Sequence, residues 1–430
     1  MTAQSPATPA VPAAPTDCGC PDFTVSRRRV LGGFAGAAGA GVFTSVLGDV
    51  HRQVAFGATG DRNVLVVLSL RGGADGLSLV VPHGESALST LRPRIGVPKT
   101  ALLAKDAMFG LHPGFSPLLP MWRAGEFGAV HAVGLPVPNR SHFQAMEAIE
   151  DADPGAPERR GWINRLVGLG GAETPTEAVQ MGTAMVPTSL YGPAPALGLR
   201  SLGDLALGGS GDAATRRRRR LALHRVWDGA PGALGQGVRT ALTTTESFDY
   251  LAAPARPSNG ATYPSGDLGG SLAQTATLIR ADVGTQVVTL DCGSWDMHTQ
   301  LGTLDWGAMR AMVADLAGSL AAFFTDLGDL ATRVTVVTVS EFGRRVAENG
   351  AGGLDHGYGN CMLLLGGGVQ GGAVHGSWPG LGAGRLLDGD LKVTSDYRSV
   401  LSEVLRARFP ELDSTQVFPD FQPQTIGAMR

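Results

Sequence analysis

The chain has 430 residues, of which 43% are hydrophobic and 17% charged, and its formal net charge is −3. This is the composition of a globular protein; it excludes a disordered chain, a peptide-sized module and the basic footprint of a nucleic-acid binder. Sixty-two glycines and 27 prolines without a collagen-like period point to many tight turns around short elements.

In chain order, residues 1–16 are Ala/Pro/Thr-rich, carry no apolar period and are expected to be disordered. Ser26-Arg27-Arg28-Arg29-Val30-Leu31 then opens an uncharged stretch of 19 residues to Gly48, whose apolar residues are mixed with six glycines. A twin arginine before a weakly hydrophobic segment is the pattern of a twin-arginine (Tat) export signal. A basic-flanked buried helix is the competing reading, and six glycines argue against it. The expectation is export through the Tat translocase to the periplasm, cell surface or exterior, with residues 1–58 as disordered region plus signal and no permanent membrane span. An uncleaved anchor stays open, and Ala55-Phe56-Gly57 is a candidate cleavage site. Cys18 and Cys20 precede the twin arginine; Cys292 and Cys361 lie in apolar, strand-like contexts and read as buried thiols, with a bridge between them left open.

From residue 59 to 430 a single α/β domain is expected. Asn63 to Leu70, Gly128 to Val133, Gln286 to Leu290, Arg333 to Val339 and Cys361 to Leu365 are continuous apolar runs, as in strands buried on both faces of a parallel sheet. Helical spacing runs from Leu304 to Leu330, and a capped helix is expected from Ser395 to Phe409. Alternation of strands and helices predicts a three-layer α/β/α sandwich with a mostly parallel central sheet. Residues 180–280 break the rhythm as a Gly/Ala-rich insertion, with Arg216 to Arg220 read as a solvated helix face.

In such sheets the working residues gather beyond the carboxyl ends of the strands. The segments there are Arg71-Gly72-Gly73-Ala74-Asp75, Pro138-Asn139-Arg140-Ser141-His142-Phe143, Asp291 to His298, Ser340-Glu341-Phe342-Gly343-Arg344 and Leu354-Asp355-His356. Asp296 and His298, two apart in a loop, suit zinc or manganese, and Glu341 with the Asp355-His356 pair can complete such a site. A structural network of caps and ion pairs is the alternative. Ser141 stands where a helix begins, either as a nucleophile whose oxyanion the helix N–H groups would face or as a plain N-cap. His112, His131 and His224 read as packing or surface histidines, and the absence of G-x-S-x-G argues against an α/β-hydrolase.

The blocks LRGGADGLSLVVP, FGLHPGFSPL, NRSHFQAMEAIE, GWINR, SWDMHTQ, SEFGRRVAENGAGGLDHGYGN and GGAVHGSWPGL, in that order, resemble the domain of unknown function 1501 family of exported bacterial proteins. That family is similar to the alkaline phosphatase and sulfatase superfamily. The resemblance implies an alkaline phosphatase-like fold, a divalent metal (zinc, manganese or calcium), Ser141 as nucleophile, and Asp75, Asp296, His298, Glu341 and His356 as metal ligands. Two departures imply a single-metal or altered site: Asp-x-His stands for Asp-x-x-x-His, and Glu341-Phe342 stands for Asp-His. The expected function is metal-dependent hydrolysis of phosphate or sulfate esters, with Arg71, Arg140 or Arg344 clamping the anion. The alternative is a non-catalytic secreted binding or assembly protein on the same scaffold, acting with another exported protein encoded nearby.

Overall fold

Val64–Leu70 (β1) is buried along its whole length in a computed structural model of the chain, as its continuous apolar run requires. The structure describes residues 62–430 except 154–158, 173, 209–211 and 383. The export signal and Cys18 and Cys20 lie outside the described residues.

The other central strands are Phe127–Gly134 (β2), Ala178–Met181 (β3), Leu197–Leu199 (β4), Val287–Cys292 (β5), Val334–Val339 (β6), Asn360–Gly366 (β7), Val374–His375 (β8) and Ser395–Asp396 (β9). They form one nine-stranded sheet in the order β8-β2-β7-β6-β1-β5-β3-β4, with β9 also on β2. β1 pairs in parallel with β5 and β6, and β5 with β3. β7 alone runs antiparallel, between β2 and β6. Its entry therefore lies at the rim where its neighbours end, and the chain just before it joins their C-terminal loops.

Among the described residues the helices of eight residues or more are His142–Asp151 (α1), Trp162–Leu169 (α2), Ala213–Trp227 (α3), Gly232–Phe248 (α4), Asp267–Arg280 (α5), Ala308–Leu327 (α6) and Tyr397–Arg408 (α7). The pleat of β1 sorts the helices that pack on it into two layers. Val66, Leu68 and Leu70 pack with Leu272 and Ala276 of α5 and Val313, Leu316 and Leu320 of α6. Leu65 and Val67 face Ala145, Met146 and Ile149 of α1, Ile163 and Leu166 of α2, and Val400, Leu401 and Val404 of α7. The expected three-layer α/β/α sandwich with a mostly parallel sheet is present. α6 is long and apolar enough to cross a membrane, but its apolar residues belong to the core against the sheet.

Residues 180–280 are less of an insertion than their composition implied. β3 and β4 extend the central sheet there, and α5 covers one face. The arginine run lies on α3, where none of the residues with described side chains is buried. Cys292 and Cys361 are both buried and free, and burial pushes the Cys292 thiol up to about 12.

Candidate metal centre

Three histidines meet at the sheet's carboxyl rim. His142 is the first residue of α1, in the turn after β2, where the Asn139 side chain accepts the Ser141 N–H at 2.9 Å. His298 follows β5, and His356 precedes β7. His142 Nε2 and His298 Nε2 each lie 3.0 Å from His356 Nε2. Asp296 joins them: Oδ1 is 3.1 Å from His298 Nε2 and 3.3 Å from His356 Nε2, and Oδ2 is 3.6 Å from His142 Nε2. His142, Asp296 and His356 each present a ligand atom within 4.8 Å of the other two.

The other ring nitrogens fix the tautomers. His142 Nδ1 is 3.0 Å from the buried Glu341 Oε1, His298 Nδ1 is 3.1 Å from Asp355 Oδ1, and His356 Nδ1 is 2.9 Å from the Arg140 carbonyl. All three partners are oxygen acceptors without a proton to give, so each Nδ1 donates. In a neutral imidazole the Nε2 then carries the lone pair. Three lone pairs and a carboxylate therefore converge, with no proton of their own to share. This arrangement is the one in which metal-binding histidines are oriented by carboxylate or carbonyl partners. Nitrogen donors with one carboxylate suit zinc, and the residues fit such an ion.

The electrostatics keep the donors ready. Burial works against the Asp296 carboxylate, but the Arg344 guanidinium and the imidazoles outweigh it and hold its pKa below the ordinary value. Burial also lowers the His356 pKa, opposed by its bond to the Arg140 carbonyl and helped by the charge of Arg344. Hydrogen bonds from Asn349 and His298 lower Asp355.

Close backbone approach holds the loops together. Gly72 has φ +105°, and a Cβ there would stand 2.6 Å from the Asp296 nitrogen. Its N–H donates to Glu341 Oε1 at 2.7 Å. Phe342 lies where the resemblance would have a histidine. Its ring is 4.9 Å from that of His142 and 4.7 Å from that of His356, so it buttresses both. The third imidazole comes from His142, which the sequence pattern left in the shadow of its neighbour Ser141.

Asp296, His298 and His356 thus meet, and Glu341 stands directly behind His142. Asp75 does not reach them. It is buried in a two-pronged pair with Arg92 at 2.5 and 2.9 Å, so both carboxylate oxygens are committed to a guanidinium rather than to an ion. Arg344 is also buried: it donates to the carbonyls of Gly72, Gly73, Trp295 and Leu354 and to Asp296, which leaves it as a clamp on the loops rather than a free anion ligand. Arg71 is paired with Glu150 and Asp291, both at 2.7 Å. The Arg140 side chain is bonded to the buried Asp390 yet remains half exposed, and it is the Arg140 carbonyl that meets the cluster, at His356 Nδ1. Ser141 is at the N-cap of α1, but its hydroxyl makes no capping hydrogen bond.

Residues 253–395 match the family described as Protein of unknown function (DUF1501), which bears out the resemblance of the three sequence blocks that fall in that stretch. That stretch carries every member of the cluster except His142. No curated protein matches in sequence. Among solved structures, the chain is similar to the C-terminal periplasmic domain of EcEptC from Escherichia coli in complex with Zn, with 11% identity, 85% of this chain and 89% of that chain covered, and a TM-score of 0.34. It is similar to the PsFucS1 sulfatase from Pseudoalteromonas sp. at 13% identity, with 84% and 71% covered and a TM-score of 0.33. Alkaline phosphatase from the Antarctic bacterium TAB5 matches at 11% identity, with 72% and 93% covered and a TM-score of 0.31. At such scores no chemistry carries over, and any functional reading rests on this chain's own residues.

Proposed function

We propose that this chain, matched over a third of its length by a family of unknown function, binds a divalent cation at His142, Asp296 and His356, with His298 beside them, and uses it to hydrolyse a phosphate or sulfate ester. The single observation that carries the reading is the convergence of three Nε2 atoms whose Nδ1 partners are all acceptors. A cation bound there supplies Lewis acidity and lowers the pKa of a nearby hydroxyl or water.

The chain's residues supply the rest. Ser141 lies between Arg140, whose carbonyl holds His356, and His142 in the cluster. Its hydroxyl, uncommitted to the helix, is the nucleophile in this reading. The first N–H groups of α1 face the charge that develops on the transferred group. The exposed side of the Arg140 guanidinium pairs with the anion. Export of this chain by the Tat translocase, from the twin arginine at Arg27-Arg28, belongs to the same proposal.

The test is hydrolysis of aryl phosphates and sulfates by zinc-loaded protein and by Ser141→Ala. Removing a nucleophile abolishes turnover by orders of magnitude at unchanged metal content. Full activity in Ser141→Ala would remove Ser141 from the mechanism; no turnover of any ester by the metal-loaded wild type would favour the binding-protein alternative.

A further inference from the structure

The histidine cluster is tied to a carboxylate that does not touch it. The Asp390 side chain is 1% exposed, and its Oδ2 accepts a hydrogen bond from Arg140 Nη2. Its Oδ1 makes no hydrogen bond and lies 3.4 Å from Arg345 Nε. A buried carboxylate is costly unless it is paired. Among the described residues this one makes a single side-chain hydrogen bond, and it goes to a guanidinium that is 44% exposed. What the bond fixes is less the core than the course of the chain at Arg140.

That stretch of chain has few other anchors. Leu135-Pro136-Val137-Pro138-Asn139-Arg140-Ser141 joins β2 to α1; Pro136, Val137, Pro138 and Arg140 are exposed, and the prolines have no N–H to donate. Among the described residues, the one hydrogen bond to the main chain of residues 136–140 is that of His356 Nδ1 to the Arg140 carbonyl, at 2.9 Å. The same stretch delivers His142. A shift in it therefore reaches two imidazoles at once.

The turn that carries Asp390 is a firm post. Asp390 and Leu387 exchange backbone hydrogen bonds at 2.8 and 2.9 Å, Val346 N–H donates to the Gly389 carbonyl at 3.2 Å, and Gly359 N–H donates to the Leu391 carbonyl at 2.9 Å. Arg345 Nη2 donates to the Asp388 carbonyl, while Arg345 N–H donates at 3.0 Å to the carbonyl of Asp355, next to His356. The backbone of residue 345 bridges to 390, and that of 344 to 356. Post and cluster thus share one short piece of chain, and Arg140 is held from its far side.

We propose that Asp390 is a positioning residue of the cation site: it holds Arg140 so that the Arg140 carbonyl sets the His356 ring and the residues beyond bring His142 to it. The inference rests on the cation reading of the cluster and not on ester hydrolysis. Asp390 acts only through Arg140 and meets no ion itself.

The experiment is zinc affinity by chelator competition on the full chain, for wild type, Asp390→Ala, Arg140→Met and the double variant, with cobalt spectra and urea midpoints beside it. Loss of a partner that orients a metal-binding histidine weakens binding about 10–100-fold, and both single variants are expected to lose about tenfold. The double variant should lose no more than the weaker single one, because both changes remove the same link. A pair that only stabilises the fold would lower the urea midpoint without moving metal binding. Wild-type zinc affinity and cobalt spectrum in either single variant overturn the inference and leave the cation site standing. Additive losses in the double variant overturn it as well, since Asp390 would then act by another route. A wild type that binds no zinc overturns the cation reading and the inference together. Where Asp390→Ala does not fold, Arg140→Met, which changes a half-exposed side chain and keeps the carbonyl, decides alone.

Discussion

Replacing Arg344 by Met tests how the three loops of the cluster are held. The Arg344 side chain is 1% exposed and donates at 2.6 Å to the Gly73 carbonyl, 3.0 Å to Leu354, 3.2 Å to Trp295 and 2.6 Å to Asp296, as well as to the Gly72 carbonyl. Methionine fills much of the volume and supplies no donor. Each buried acceptor left unpaired costs about 1–3 kcal/mol, but these costs do not add fully, and Asp296 is open enough to regain water. The expected loss is about 3–5 kcal/mol, the usual cost of removing one partner from a buried charged network. The assay is urea unfolding followed by circular dichroism, with the loss read in the midpoint at unchanged slope. Arg344→Lys keeps a charge near Asp296 but lacks the rigid five-donor fork, so it should fall between the two. A Met variant within about 1 kcal/mol of the wild type would refute the clamp.

Asp75→Asn should cost about 3–5 kcal/mol at neutral pH, because it strips Arg92 of its partner, and should leave metal content unchanged. Burial raises the Asp75 pKa, but Arg92 outweighs it and holds the net value below the ordinary 3.8; its contribution is thus complete above about pH 4 and is lost as the pH falls through the folded value. Melting temperatures of wild type and Asp75→Asn should converge in acid, and parallel curves would contradict the pairing. Gly72→Ala should destabilise by about 1–3 kcal/mol and weaken metal binding, since its Cβ would displace the Asp296 backbone; unchanged metal affinity would count against that contact. Changing Arg27 and Arg28 to Lys should leave precursor in the cytoplasm, and undiminished export on cell fractionation would exclude the Tat route.

The core strands were legible because burial on both faces writes itself as an uninterrupted apolar run. NVLVVLSL, GAVHAV, QVVTL, RVTVVTV and CMLLL all became central strands. Direction was not legible. Nothing in CMLLL distinguishes an antiparallel strand, yet that reversal is what carries His356 to the rim. β3 and β4 were missed because each is short and breaks its apolar run: AVQM carries Gln180, whose side-chain oxygen accepts the Thr289 hydroxyl, and LGL carries a glycine.

The site was half legible for a related reason. The residues just beyond each strand end brought Asp296, His298, Glu341 and His356 to one place. The division between ligand and orienting partner depends on side-chain reach, which spacing does not contain. Glu341 falls behind His142 rather than beside it, and Asp75 is captured by Arg92, 17 residues away along the chain. The signal for His142 was present: it follows a strand in the same way as His298, and counting imidazoles rather than hydroxyls after β2 would have chosen it.

The most direct measurement is the metal stoichiometry of purified full-length protein, equilibrated with a slight excess of zinc and then desalted, beside His142→Ala and His356→Ala. One equivalent bound by the wild type and lost from both variants, with cobalt substitution giving the visible spectrum of a nitrogen-rich site, is the predicted result. A wild-type chain that emerges without metal, or variants that retain the full equivalent, would contradict it.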